Sequence, residues 1–409
     1  MFFRLLYVIF VTCMLLWGHF YIGGIITPRQ IMTLVMFVAC AAVKEIKIDK
    51  YWWIYLVFIA FFGLSSVFTG YFTFFQRQLI GFYFASFVSY RSTIVIIKKY
   101  HSETTLINTL LVIGVADAVI TIGQYLNIPL FNRIVELMHF VSLNDQFLRI
   151  QERSDVVNRI AVPGIVGAVF NGYFLSFISV LAFFNKKGRL RLRNLIVWSV
   201  IIAGSYCAQE RSGFFGAIFI SIFIIIKLLS TSSQKSKPIL VPILIIGTVF
   251  GVVNFMGMLA ESETRHSLGV NLIEDRLGLF RRAWAFFLDN PMGGFFEFVE
   301  INGIYPHNLF LNALIQGGLL GGIALFVVLI MQFSKIIPSF VKSLKGYDDF
   351  VVFIFAFATT AYTINSLVHN LSIASGDANY WILWGAFLAM MERRKETSRQ
   401  FNNQTYPIV

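Results

Sequence analysis

Charge is what this chain has least of. Asp, Glu, Lys and Arg together make up 13% of its 409 residues, while 57% are hydrophobic. Soluble globular chains carry about 25% charged residues. A water-soluble fold could not hide so much apolar side chain. Short segments of alternating polarity are also missing. The apolar runs are continuous over ~20 residues rather than alternating over ~10, which argues against a β-barrel. Cysteine is scarce: Cys13, Cys40 and Cys207 all lie in apolar runs without C-x-x-C or metal spacing, and read as small core residues. No Walker or dinucleotide glycine motif occurs.

What remains is a succession of long apolar runs, so the expected class is an all-α polytopic membrane protein. About twelve transmembrane spans are expected, near residues 5–24, 30–43, 51–69, 72–90, 104–126, 161–184, 194–210, 211–230, 238–258, 307–333, 349–369 and 378–392. The fourth is the weakest, because Arg77 sits inside it. The first carries Arg4 and no small-residue cleavage site, and reads as a retained helix. The whole chain, 1–409, is expected to be one transmembrane domain with two large outer loops, 127–160 and 259–306. The first loop mixes acidic, basic and apolar residues at loosely helical spacing, so part of it is expected along the interface. A basic tail, 393–409, is expected to fray.

Net charge is +12. Membrane topology explains it better than nucleic acid does, because the basic residues sit in short segments between apolar runs. With the N-terminus in the cytoplasm, every cytoplasmic segment is basic: Arg4; Lys44, Lys47, Lys50; Arg91, Lys98, Lys99; Lys186 to Arg193; Lys227, Lys235, Lys237; Lys335, Lys342, Lys345; and Arg393 to Arg399. The remaining basic residues are Arg29, Arg77, Arg133, Arg149, Arg153, Arg159, Arg211, Arg265, Arg276, Arg281 and Arg282. Not one is Lys. Arg offers a planar fork of donors suited to phosphate or carboxylate, although pairing with outer acidic residues is an equal account of the set.

Candidate site residues cluster on that outer face. Glu210-Arg211-Ser212-Gly213 stands between two apolar runs, either as an interfacial turn or as an Arg presented to a ligand. Residues 275–287 have apolar positions at 277, 280, 284 and 287, which predicts a short amphipathic helix bearing Arg276, Arg281 and Arg282. Asn290-Pro291-Met292-Gly293-Gly294 breaks it. Pro306-His307-Asn308 then opens the tenth span, with His307 expected in its first turn. His369, also followed by Asn, is a competitor with Asp377 nearby. Gln316 to Gly322 is a small-residue stretch suited to close helix packing. Asp117, midway along the fifth span, is functional or a hydrogen-bonded structural group with equal weight. Arg77, between Gln76 and Gln78, is expected to face a cavity. There is no metal-ligand spacing and no D-x-D-type acidic pair in an outer loop. Metal-dependent transfer is disfavoured, and phosphate charge would fall to Arg or Lys.

Residues 211–322 resemble the shared domain of the O-antigen ligase and O-antigen polymerase superfamily. Arg211-Ser212 opening an apolar helix resembles its S/T-R helix start. Arg276, an amphipathic helix and Asn290 to Gly294 resemble its R…W…P-L-x-G segment. His307-Asn308-x-x-Leu311 with Gly318 and Gly321 resembles its H-N-x-x-L…G-x-x-G signature. Gln316 stands where many members have Glu, and Phe280 lies nearer the usual place of the Trp.

The resemblance implies a GT-C-like, all-helical, metal-independent glycosyltransferase of the bacterial inner membrane, without a cofactor. It implies a donor glycan on undecaprenyl diphosphate at the periplasmic leaflet. Arg211 and Arg276 would bind the diphosphate, and His307 would act at the acceptor hydroxyl. Arg282, Asn308, Arg77, Asp117 and His369 are supporting candidates. Expected partners are the lipid-linked glycan, the bilayer, and a chain-length regulator or other assembly proteins; nucleic acid is not expected. The acceptor is another lipid-linked repeat unit in a polymerase and lipid A–core in a ligase, with the polymerase favoured. A transporter or flippase is the minor alternative. No paired broken helices of the transporter kind are evident in the sequence.

Overall fold

The computed structural model describes residues 1–16, 27–140, 164–165, 171–183, 192–208, 216–218, 221–222, 272–303, 305–306, 308–344, 350–367 and 373–405. Among the described residues the fold is all-helical, without a strand. In chain order the helices are α1 (Phe2–Leu16), α2 (Pro28–Ala42), α3 (Lys50–Phe68), α4 (Phe72–Lys98), α5 (Glu103–Tyr125), α6 (Pro129–Phe140), α7 (Asn171–Leu181) and α8 (Leu192–Cys207). They continue as α9 (Leu272–Asp289), α10 (Phe295–Asn302), α11 (Leu309–Leu344), α12 (Phe350–Ser366) and α13 (Ala378–Thr405), with a 3-10 turn at Ile373–Ser375 between the last two.

Four of these, α3, α4, α5 and most of α11, are long and apolar enough to cross a membrane. Helices α1, α2, α7, α8 and α12 are apolar but shorter. The expected count of twelve spans is therefore matched only in part; the spans at 211–230 and 238–258 lie almost wholly outside the described residues. The fourth span, expected to be weak, is instead one long helix. It contains a π-helical stretch at Leu79–Tyr83, and Arg77 is held near its exposed first turns. Helix α10 lies within the 259–306 loop, which was expected to contain short helices, although these residues were not singled out as one. The C-terminal tail does not fray at 393, because Arg393 pairs with Glu103 at 2.9 Å and Lys98 with Glu392 and Glu396 at 3.1 and 3.4 Å. These ties fix the turns from which α13 runs on to Thr405.

Helix α3 packs antiparallel along α11, whereas α4 and α13 run parallel, from Tyr83 beside Gly376 to Lys98 beside Glu392. The core between α3, α4 and α13 is aromatic: Trp52, Tyr55, Tyr90, Tyr380 and Trp381 are buried and meet ring to ring. The bundle has two unlike ends. At one end the ion pairs just described gather with Arg91, which donates two bonds to the Glu45 carbonyl at 3.0 and 2.8 Å. At the other, α10 lies over α3, with Phe295 and Phe296 against Phe62 and the Tyr71 hydroxyl donating to Glu300.

Two helices stop short of this second end. From Pro28 to Ala42, and from Ala378 to Glu392, each covers about 21 Å at 1.5 Å per residue, against about 30 Å of hydrocarbon. Both reach the ionic end, since Lys99 donates to Val43 O and Lys98 pairs with Glu392. Their N-termini therefore begin inside the bundle.

Candidate functional site

The turn after α9 and a break in α11 form one unit. Helix α11 loses its helical dihedrals at Gly318, where φ is 63° and ψ is −165°. The Asn290-to-Gly294 turn fits that break. Gly294 N–H donates to Ile315 O at 2.8 Å, and Leu319 N–H donates to Pro291 O at 3.0 Å. A Cβ on Gly318 would lie 2.5 Å from Pro291 O, and one on Gly293 (φ 94°) would lie 2.7 Å from Ile315 O. Close packing was the expected use of this glycine stretch. It holds for Gly317 and Gly321, which face Phe58 and Phe61 of α3, but Gly318 has a second use. By joining α9 to α11, this interlock ties the helix that carries Arg276 and Arg282 to the helix that begins after His307.

Helix α9 extends both ways beyond the expected 275–287. Its buried stripe is Leu279, Ala283 and Phe287, while Leu277 and Trp284 are about half exposed. Of the apolar face read from positions 277, 280, 284 and 287, Phe287 lies in the stripe and Phe280 is half-buried, whereas Leu277 and Trp284 face outward. The smaller Ala283 allows close approach to α11, and Trp284 is left outside, a placement that suits a lipid–water interface. Arg281 and Arg282 are both exposed. Arg276 lies in α9 with its side chain outside the described residues, as are Arg211, His307 and His369.

Asn308 is the cap of α11. Its side-chain oxygen accepts from Phe310 N and Leu311 N at 3.0 and 3.1 Å, and its amide nitrogen donates to Leu367 O at 3.0 Å. One side chain thus starts α11 and ties it to the end of α12. The helix begins at Leu309, so its first turn opens beyond His307 rather than including it. Gln316, fully buried beside the break, has neither amide atom hydrogen-bonded among the described residues. An ionised Glu in that position would cost far more than this neutral amide.

Two supporting candidates take other positions. Arg77 is exposed, with its guanidinium 5.8 Å from the Phe74 ring centre. Asp117 is fully buried and accepts from Ile165 N at 2.8 Å, while Gln124 accepts from Gly164 N at 3.0 Å. Asp117 therefore anchors the 164–165 turn against α5; a Cβ on Gly164 would lie 2.3 Å from its Oδ1.

A polar cluster inside the bundle was not read from the sequence. The turn between α12 and α13 re-enters the helices. Its carbonyls at Ile373, Ala374 and Gly376 accept from Tyr55, Tyr83 and Ser86 at 2.5, 2.6 and 2.7 Å. Asp377 closes it, accepting from Asn379 N at 2.8 Å and from the Tyr362 hydroxyl. Arg29, at the start of α2, interacts electrostatically with Asp377 and lies 5.1 Å from the centre of the Phe82 ring, in the π-helical stretch. Two signals were available in the sequence. Thr27-Pro28-Arg29-Gln30 carries the pattern of a capping box, which the structure forms. Ser375-Gly376-Asp377 carries that of a turn and cap.

Comparison with protein-family models, with curated proteins and with solved structures finds no match to this chain.

Proposed function

We propose that this membrane protein is a metal-independent, inverting glycosyltransferase of the O-antigen polymerase type. In this reading it adopts a GT-C-like fold in a bacterial inner membrane and works at the periplasmic leaflet. Undecaprenyl diphosphate carries the donor glycan. The observation that carries the reading is the interlock of the Pro291–Gly294 turn with Gly318, because it joins in space two of the three segments on which the resemblance rests. Arg276 and Arg211 would hold the diphosphate and stabilise the charge it gains as the anomeric C–O bond breaks. His307 would take the proton of the attacking acceptor hydroxyl. Asn308 fixes the helix start beside it, and Arg282 lies about 1.7 turns along α9 from Arg276.

The test uses purified full-length protein and lipid-linked repeat unit as the only glycan. Chain growth is expected, and single Arg211→Ala, Arg276→Ala and His307→Ala changes should each lower it by about 100-fold or more at matched expression. Growth only after lipid A–core is added would make the protein a ligase. Near-normal activity in all three variants would remove the site. A transporter of lipid-linked glycan gains one supporting observation: the short α2, the start of α13 inside the bundle and the break in α11 are features of the kind transporters use. Movement of labelled lipid across vesicles without glycosidic bond formation would favour it.

A further inference from the structure

Arg29 is held where an unaccompanied cation is costly. It lies about 20 Å from the ionic end along α2, at 1.5 Å per residue. Its guanidinium makes no hydrogen bond and no contact ion pair among the described residues, and its Nε is enclosed. Asp377 is the charged group that acts on it, but across space; both Asp377 oxygens are engaged, by Asn379 N and the Tyr362 hydroxyl. The backbone supplies a second donor at the same place. In the first turn of α2, Pro28 has no N–H, Gln30 N–H is taken by the Thr27 hydroxyl, and Ile31 N–H by Thr27 O. Among the described residues, the Arg29 N–H is the first-turn donor without a partner, at the positive end of the helix dipole.

The exposed side chains nearby are apolar: Phe82, whose ring faces the guanidinium, is 40% exposed, and Ile80 on the same helix is 60% exposed. Such surroundings suit a hydrocarbon chain rather than a hydrated ion. A planar fork of donors beside a free backbone N–H suits a phosphate oxygen cluster. We infer that Arg29, with the N-terminus of α2, is a seat for the phosphate group of a membrane lipid, entered sideways between α2 and α4. The seat stands on this geometry and does not require the transfer reading.

The experiment measures binding of a long-chain polyprenyl diphosphate to the full-length protein in phosphatidylcholine nanodiscs, with inorganic pyrophosphate as a competing free anion. The wild type should bind the lipid and should need far more pyrophosphate to displace it. Arg29→Met should weaken binding about tenfold or more, and Arg29→Lys, which keeps the charge but loses the fork, about threefold or more. Arg29→Lys decides the matter should Arg29→Met fail to fold. Binding within twofold of wild type in the folded variants overturns the seat, as does absence of binding in the wild type. Equal affinity for pyrophosphate overturns the lipid assignment. The two proposals separate cleanly. Arg29-dependent binding without any glycosyl transfer sinks the transfer reading alone, whereas transfer with Arg29-independent binding sinks the seat alone.

Discussion

At Gly318 a single hydrogen atom decides whether α11 can take in the turn that follows α9. Its φ of 63° and ψ of −165° fall in a region that residues with a Cβ essentially do not occupy. The space is also filled, by Pro291 O and Met292 backbone atoms at 2.5–2.9 Å from where a Cβ would stand. Gly321 makes the control. It shares the stretch, but its nearest neighbour would be the Phe61 Cβ at 3.3 Å, and its φ is not positive. Gly318→Ala should therefore cost about 2–3 kcal/mol or more, by the dihedral penalty and the displaced Pro291 carbonyl together. Gly321→Ala should cost less than about 1 kcal/mol. Thermal unfolding of the two variants in one detergent reads the difference directly; equal midpoints would mean that the turn does not depend on the break.

Among the elements, α11 depends on its cap more than on its composition. Asn308 supplies two acceptor contacts to the first turn and one donor contact to Leu367. Asn308→Ala should cost about 1–2 kcal/mol, and Asn308→Asp should recover the cap but not the tie to α12. An unfolding midpoint for Asp between those of Ala and Asn is the expected order; Asp equal to Ala would leave the cap without weight. This cap was partly legible, since Pro-His-Asn ahead of an apolar run signals a helix start. The amphipathic α9 and its stop at Asn290 were legible for the same reason, being local signals of period and turn chemistry. The buried face of α9 was not, because apolar period alone does not say which residues are small enough to meet α11. The re-entrant 373–377 turn was hidden more deeply. Its polar groups are satisfied by Tyr55, Tyr83 and Ser86, about 290 positions or more away in the chain, and no local pattern encodes such partners. Apolar patterning misled in the same way: the runs at 30–43 and 378–392 read as crossings, yet α2 and α13 begin inside the bundle where buried caps replace water.

For the molecule as a whole, the asymmetry of its ends is what gives the proposed chemistry a side. The ionic end holds Arg91, Lys98 and Arg393 with their acidic partners and Lys99 on the Val43 carbonyl, and the positive-inside rule expects short basic segments of this kind on the cytoplasmic side. The other end carries α10, the Pro291–Gly294 turn and the cap of α11. Chemistry on a lipid-linked glycan at the outer leaflet requires that these face away from the cytoplasm. Cysteine labelling tests this with little background, since Cys13, Cys40 and Cys207 are all buried. Ile301, at the end of α10, is 68% exposed, and Lys395, at the ionic end, is exposed as well. A membrane-impermeant maleimide added to spheroplasts should label an Ile301→Cys variant at once, and a Lys395→Cys variant only after the membrane is opened. The reverse pattern would turn the molecule over. Arg276 and His307 would then face a compartment rich in nucleotide sugars rather than exported lipid-linked glycan, and the donor assigned to them could not reach them.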